Sequence, residues 1–199
     1  DDSCRLLVCD FDNEDFKQAA RAYAEECNTL CLDALLEVSR SGNGAHVWLF
    51  FDEPIPASLA RSVGIGLLAK ASPDSYFSSF DRFFPSQDTL PANGRGFGNL
   101  IALPLAGQHR SEGTTVFVDS DFQPLPDQFE ALARTKKSTL SELKRIYAEL
   151  QPDPETSLPQ APTREELKKL KASGKVHVTH DSHVRIDLSG VDSTTRTAL

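Results

Sequence analysis

The chain has 199 residues, 39% of them hydrophobic, and a formal net charge of −8. That length supports one sizeable domain plus an appendage, and the acidic balance argues against a general nucleic-acid coat protein. No apolar run reaches membrane-spanning length, and the opening residues are not expected to act as a signal peptide.

The charge is uneven. Residues 1–133 hold 9 Lys and Arg against 20 Asp and Glu, while residues 134–175 hold 10 against 6. An acidic core with a mildly basic appendage fits a metal–carboxylate site, and it equally fits an ordinary acidic cytosolic protein. Met is absent even at position 1, so a fragment or processed product is expected. The four cysteines, Cys4, Cys9, Cys27 and Cys31, lack zinc-knuckle spacing. Buried reduced thiols in a reducing cytoplasm are the expectation.

Arg5–Phe11 reads as a buried strand running into Asp10-Phe11-Asp12. Residues two apart on a strand share a face, so Asp10 and Asp12 point one way and Phe11 the other. Two adjacent carboxylates repel unless a cation lies between them, which is the physical case for a divalent metal. Helix capping is the plainer use of one of them. Asn13 is the better predicted cap, with a helix carrying Phe16, Ala20, Tyr23, Cys27 and Leu30 on one face.

Ala34–Val38 is a second predicted strand, leading into Ser-Arg-Ser-Gly-Asn-Gly-Ala-His at 39–46 and the apolar run Val47–Phe51. Gly42 and Gly44 allow backbone amides to turn toward an anion. Ser41 and Asn43 add donors, Arg40 adds a fork suited to phosphate, and His46 stands where strand leaves turn. A hairpin loop with a polar core histidine is the plainer reading. Asp52-Glu53-Pro54 is expected to stop the strand, and Pro56–Ala71 to form a helix in which Gly64 and Gly66 permit close packing on the sheet.

Asp81 lies in an aromatic run, where a carboxylate is costly unless paired with Arg82 or metal-bound. Pro91–Gly98 reads as a loop, Asn99–Leu105 and Thr114–Val118 as strands, and Asp119-Ser120-Asp121 as a turn more than a second metal site. Pro126–Ala133 and Ser138–Leu150 are predicted helices, the latter with Leu140, Leu143, Tyr147 and Leu150 as its apolar face. Residues 1–134 are then the core and 135–150 a helical extension. Residues 151–162, with four prolines in twelve residues, read as a linker. A charged helix over Thr163–Ala172 and a hairpin over Lys175–Leu188 complete 163–199. His177, His180 and His183 alternate faces there, which favours a solvated hairpin over a metal site.

Taken together, Asp10-Phe11-Asp12, Ser41-Gly-Asn-Gly-Ala-His46-Val-Trp and Phe80-Asp81-Arg-Phe-Phe-Pro-Ser-Gln87-Asp occur in that order. With Gly-Asn99-Leu-Ile-Ala-Leu-Pro-Leu, this resembles the archaeo-eukaryotic primase superfamily, notably primases of TOTE conflict systems and CRISPR-associated primase-polymerases. The likeness covers about residues 3–125, with Ser86 where those proteins commonly have Asn.

The resemblance implies an α+β fold with an RRM-like catalytic core, a mainly antiparallel sheet flanked by helices. It also implies template-directed nucleotidyl transfer by two divalent ions, Mg²⁺ or Mn²⁺, on Asp10, Asp12 and Asp81. Ser41 and His46 would bind the triphosphate of an incoming NTP or dNTP. Arg40, Gly42, Asn43, Gly44, Gln87, Asn99 and Arg110 would be further contacts to nucleotide or template. Implied partners are single-stranded DNA template and primer, with helicase, nuclease or CRISPR components, in the cytoplasm of a prokaryote or a mobile element, and no membrane. A nucleotide- or nucleic-acid-binding module within a larger replication, repair or defence protein is the alternative. Haloacid-dehalogenase-type phosphatases also begin with Asp-x-Asp, but Glu14-Asp15 stands where they need Thr or Val.

Overall fold

A computed structural model describes residues 2–71, 79–90 and 100–152, together with the backbone of 176–178 and 184–186. The chain divides into two compact units, Asp1–Thr156 and Ser157–Leu199. The first is α+β, built on a five-stranded antiparallel sheet in the order β4-β1-β3-β2-β5. Its strands are β1 (Ser3–Asp12), β2 (Leu35–Val38), β3 (Gly44–Pro56), β4 (Phe80–Phe84) and β5 (Phe117–Val118). In the second unit β6 (Val176–Val178) pairs antiparallel with β7 (Val184–Ile186). The charged helix expected over 163–172, and His180 and His183, lie outside the described residues.

Strand alternation sorts the core into two layers. Leu7, Cys9 and Phe11 of β1 face helices α1 (Phe16–Thr29) and α2 (Ala57–Ala71). On that side Phe11 meets Tyr23 with ring centroids 5.8 Å apart, and a Cβ on Gly64 would stand 3.0 Å from Leu7 and Phe83. On the other face Val8 packs with Leu35, Trp48, Phe84 and Phe117, roofed by Ile101, Leu105, Leu125 and Leu132. Asp10 and Asp12 continue this second face beyond Val8.

Several boundaries differ from the sequence reading, each for a local reason. Asp52-Glu53-Pro54 does not end β3. The register passes from Leu6↔Phe50 to Cys4↔Ile55, so β3 bulges, and a bulge accommodates Pro54, which has no ladder amide. Pro56 closes β3 and α2 starts at Ala57, whose amide donates to the Asp2 carbonyl. Asn13 is not a side-chain cap. It takes φ +75°, and Asp15 occupies the cap position without a side-chain hydrogen bond. No strand forms over 100–105: Pro104 lacks an amide, Leu105 turns at φ +61°, and Leu100 and Leu103 are exposed. Cys9 and Cys27 are buried free thiols as expected, but Cys4 is only half-buried and Cys31 is exposed. Asp119 makes a turn, its Oδ1 accepting from the amides of Asp121 and Gln123 at 2.9 Å.

A four-residue helix, α3 (Gly107–Arg110), and α4 (Gln128–Arg134) precede α5 (Leu140–Leu150). α5 packs on α2, where Gly66 meets Leu150 rather than the sheet. Its buried residues are Leu143 and Ile146, while Tyr147, expected inside, is exposed. A capping box starts this helix: Thr139 accepts from the Glu142 amide, and Glu142 accepts from the Thr139 amide at 2.8 Å.

The Lys136 ammonium, 2.6 Å from Glu142, and that Thr139 amide lower the Glu142 pKa to about 2 from 4.5. A lowered folded-state pKa contributes stability that is complete above 4.5 and is lost as pH falls toward 2. Denaturant melts should therefore show the stability of Glu142→Gln falling less steeply than wild type across that window. Thr139→Ala should lower stability by about 1 kcal/mol at neutral pH.

Candidate metal and nucleotide site

The hairpin joining β2 to β3 sets the geometry. The Ser39 amide donates to the Gly44 carbonyl at 2.9 Å, and the Gly42 amide to the Ser39 carbonyl at 3.0 Å. Gly42 has φ +75°, which favours glycine. Ser41 Oγ lies 3.1 Å from Ser39 Oγ and accepts from the Asn43 amide. Arg40, Ser41 and Asn43 are exposed on this turn.

Antiparallel pairing of β1 with β3 then sets Asp12 opposite Gly44 and Asp10 opposite His46. The first of these contacts is so tight that a Cβ on Gly44 would run into Asp12 Oδ1. It would also stand 2.7 Å from the Phe11 carbonyl oxygen and 3.0 Å from Ser39 Oγ. The polar turn and the paired carboxylates are thus in direct contact.

Asp81 joins them through a bulge. β1 pairs with β4 as Asp10↔Arg82 and then Phe11↔Phe80, which leaves Asp81 as the extra residue. A bulged residue is re-aimed out of strict alternation, and here Asp10, Asp12 and Asp81 each offer an oxygen within 4.8 Å of the others. Among the described residues, no other trio of Asp, Glu, His or Cys lies so close. An all-carboxylate donor set is hard, and it suits Mg²⁺ or Mn²⁺ rather than a thiolate-seeking metal. The three residues fit a divalent ion on that chemistry.

Across the sheet, one rung reads Arg82, Asp10, His46, Glu37, Phe117 from β4 to β5. Its charges alternate. Arg82 Nε donates to Asp81 Oδ2 at 2.5 Å. His46 Nε2 lies 3.4 Å from Asp10 Oδ1, and Nδ1 lies 2.9 Å from Glu37 Oε2. Burial by itself would lower the His46 pKa, but hydrogen bonds to Asp10 and Glu37 outweigh it and raise the pKa to about 9. Arg82 is likewise raised despite burial, by its bond to Asp81 and the charges of Asp10 and Asp12.

The other residues singled out in the sequence stand as follows. Gln87 is half-buried after β4, its Nε2 buried without a hydrogen-bond partner among the described residues. Arg110 is exposed on α3, its guanidinium 5.6 Å from the Phe129 ring centroid. Asn99 lies outside the described residues. Glu37 and the role of Arg82 opposite Asp10 were not anticipated. For Glu37 the available signal was one acidic residue inside Leu-Leu-Glu-Val, which the hairpin register carries to His46.

A family model described as the TOTE conflict system, Archaeo-Eukaryotic Primase domain, matches residues 1–146. No curated protein matches the chain.

Proposed function

Because the chain belongs to the archaeo-eukaryotic primase family of TOTE conflict systems, a primase-like nucleotidyltransferase family, we propose that it extends a primer on a single-stranded DNA template. The reaction joins the primer 3′-oxygen to the α-phosphorus of an NTP or dNTP and releases pyrophosphate. The observation that carries this reading is the meeting of three carboxylates, from two paired strands, with the turn that ends at His46.

Asp10, Asp12 and Asp81 would hold the divalent ions. Bound there, Mg²⁺ or Mn²⁺ supplies Lewis acidity to the attacking hydroxyl and offsets charge on the phosphates. The chain's own task is positioning. His46 presents Nε2 beside Asp10, where it can donate to a phosphate oxygen. Ser41 and Asn43 offer further donors from the turn, with Arg40 as a bidentate fork. Gln87, Asn99 and Arg110 are proposed as outlying contacts to nucleotide or template. Partners such as a helicase or nuclease belong to the same proposal.

The test is incubation with primed single-stranded DNA and labelled NTPs or dNTPs, in Mg²⁺ or Mn²⁺. Template-dependent primer lengthening is expected, and it should vanish in Asp10→Ala/Asp12→Ala. Nucleotide binding without lengthening, in either metal, would leave a binding module instead.

A further inference from the structure

We infer that Glu37 is the positioning residue of His46: its buried carboxylate holds Nδ1 and so keeps Nε2 turned toward Asp10 and the phosphates proposed to bind beside it. The inference rests on the phosphate-binding role proposed for His46. Glu37 is only 1% exposed, in the middle of the sheet. Its neighbours on the rung are His46 on one side and the fully buried Phe117 on the other.

One oxygen does the holding. Glu37 Oε2 lies 2.9 Å from His46 Nδ1 and accepts from Trp48 Nε1 at 2.5 Å. An indole nitrogen can only donate, so the oxygen is tethered from the Trp48 side and offers its remaining lone pair to His46. Trp48 is itself fully buried among Val8, Leu35, Phe84 and Phe117. The tether is therefore anchored in the rigid core, and the ring cannot flip without breaking the Nδ1 bond. A buried carboxylate opposes folding unless it is paired. An apolar β-branched residue between Leu36 and Val38 would serve the sheet better, so stability alone does not explain Glu37.

The experiment compares wild type, Glu37→Gln, His46→Ala and the double variant in two assays. Equilibrium dialysis with a labelled deoxynucleoside triphosphate and Mn²⁺ reads affinity, and primer extension reads KM against kcat. Loss of a group that orients a metal-ligating histidine commonly costs about 10–100-fold, and a histidine oriented toward phosphate is expected to respond on the same scale. Glu37→Gln should accordingly weaken triphosphate binding about tenfold or more, raising KM more than it lowers kcat. The double variant should bind triphosphate no worse than His46→Ala, because Glu37 reaches the nucleotide only through that ring.

Unchanged KM in Glu37→Gln, or losses that multiply in the double variant, would overturn the inference. If Glu37→Gln does not fold, Glu37→Asp, which keeps the charge but withdraws the oxygen by one methylene, must show the same KM-weighted defect. A wild type that binds no triphosphate would defeat the nucleotide reading of the site, and this inference with it.

Discussion

Asp12→Ala should abolish primer extension while leaving the fold intact. Perturbing groups that merely orient a metal ligand costs about 10–100-fold, so removing Asp12, proposed above as a direct ligand, should exceed 100-fold. Asp12 is not part of the buried core, and it sits at the end of β1. Its loss should therefore leave the melting temperature in chelator within a few degrees of wild type. Added Mg²⁺ or Mn²⁺ should raise the wild-type melting temperature through binding linkage, and Asp12→Ala should lose that rise. Retained extension, or a retained metal-induced shift, would remove Asp12 from the metal site.

Gly44→Ala is expected to damage both stability and function, though it adds one methyl. The new Cβ would collide with Asp12 Oδ1 and crowd the Phe11 carbonyl and Ser39 Oγ. The Phe11 carbonyl belongs to the backbone of β1, which is paired with β3 and β4 on its two sides, and cannot step aside. Relief must come from displacing Asp12 or spreading β1 from β3. Overpacking of this kind costs about 1–3 kcal/mol, and a displaced Asp12 leaves the carboxylate trio incomplete. Denaturant melts and metal-induced melting shifts should therefore fall together. Gly107→Ala is the control, since none of the described residues lies within 4 Å of its added Cβ. A Gly44→Ala protein with wild-type stability and metal response would show that strand separation is freer than the contacts indicate.

Much of this site was legible along the chain. Period-two alternation was enough to put Asp10 and Asp12 on one face, and Gly-spaced polar residues before Val47–Phe51 were enough to expect a hairpin turn. What could not be read was the contact between them. Gly44 touches Asp12, and His46 faces Asp10, only because β1 pairs with β3 in one register, and pairing partners are not encoded in local periodicity. The placement of Asp81 was harder still. It depends on a bulge, where alternation, the tool used to read strands, fails. The segment 100–105 misled for the opposite reason: Leu-Ile-Ala-Leu looks like a strand, but Pro104 and the left-handed Leu105 withhold it from the sheet. In α5 Leu143 and Leu150 face inward as expected, Leu143 buried and Leu150 against Gly66, and one position differs. Ile146 takes the interior position given to Tyr147, whose hydroxyl is better left in water.

β1 carries two of the three acidic side chains and is flanked on one side by β3 and on the other by β4. With no free edge, it cannot fray away from its neighbours as a rim strand does. Loosening Asp10 from Asp81 requires parting β1 from β4, and loosening it from His46 requires parting β1 from β3. The part of the site made by Asp10, Asp12 and His46 is in this way as durable as the sheet itself. Asp81, by contrast, rides the five-residue rim strand β4, so that heating should loosen the trio at its Asp81 corner before the sheet melts.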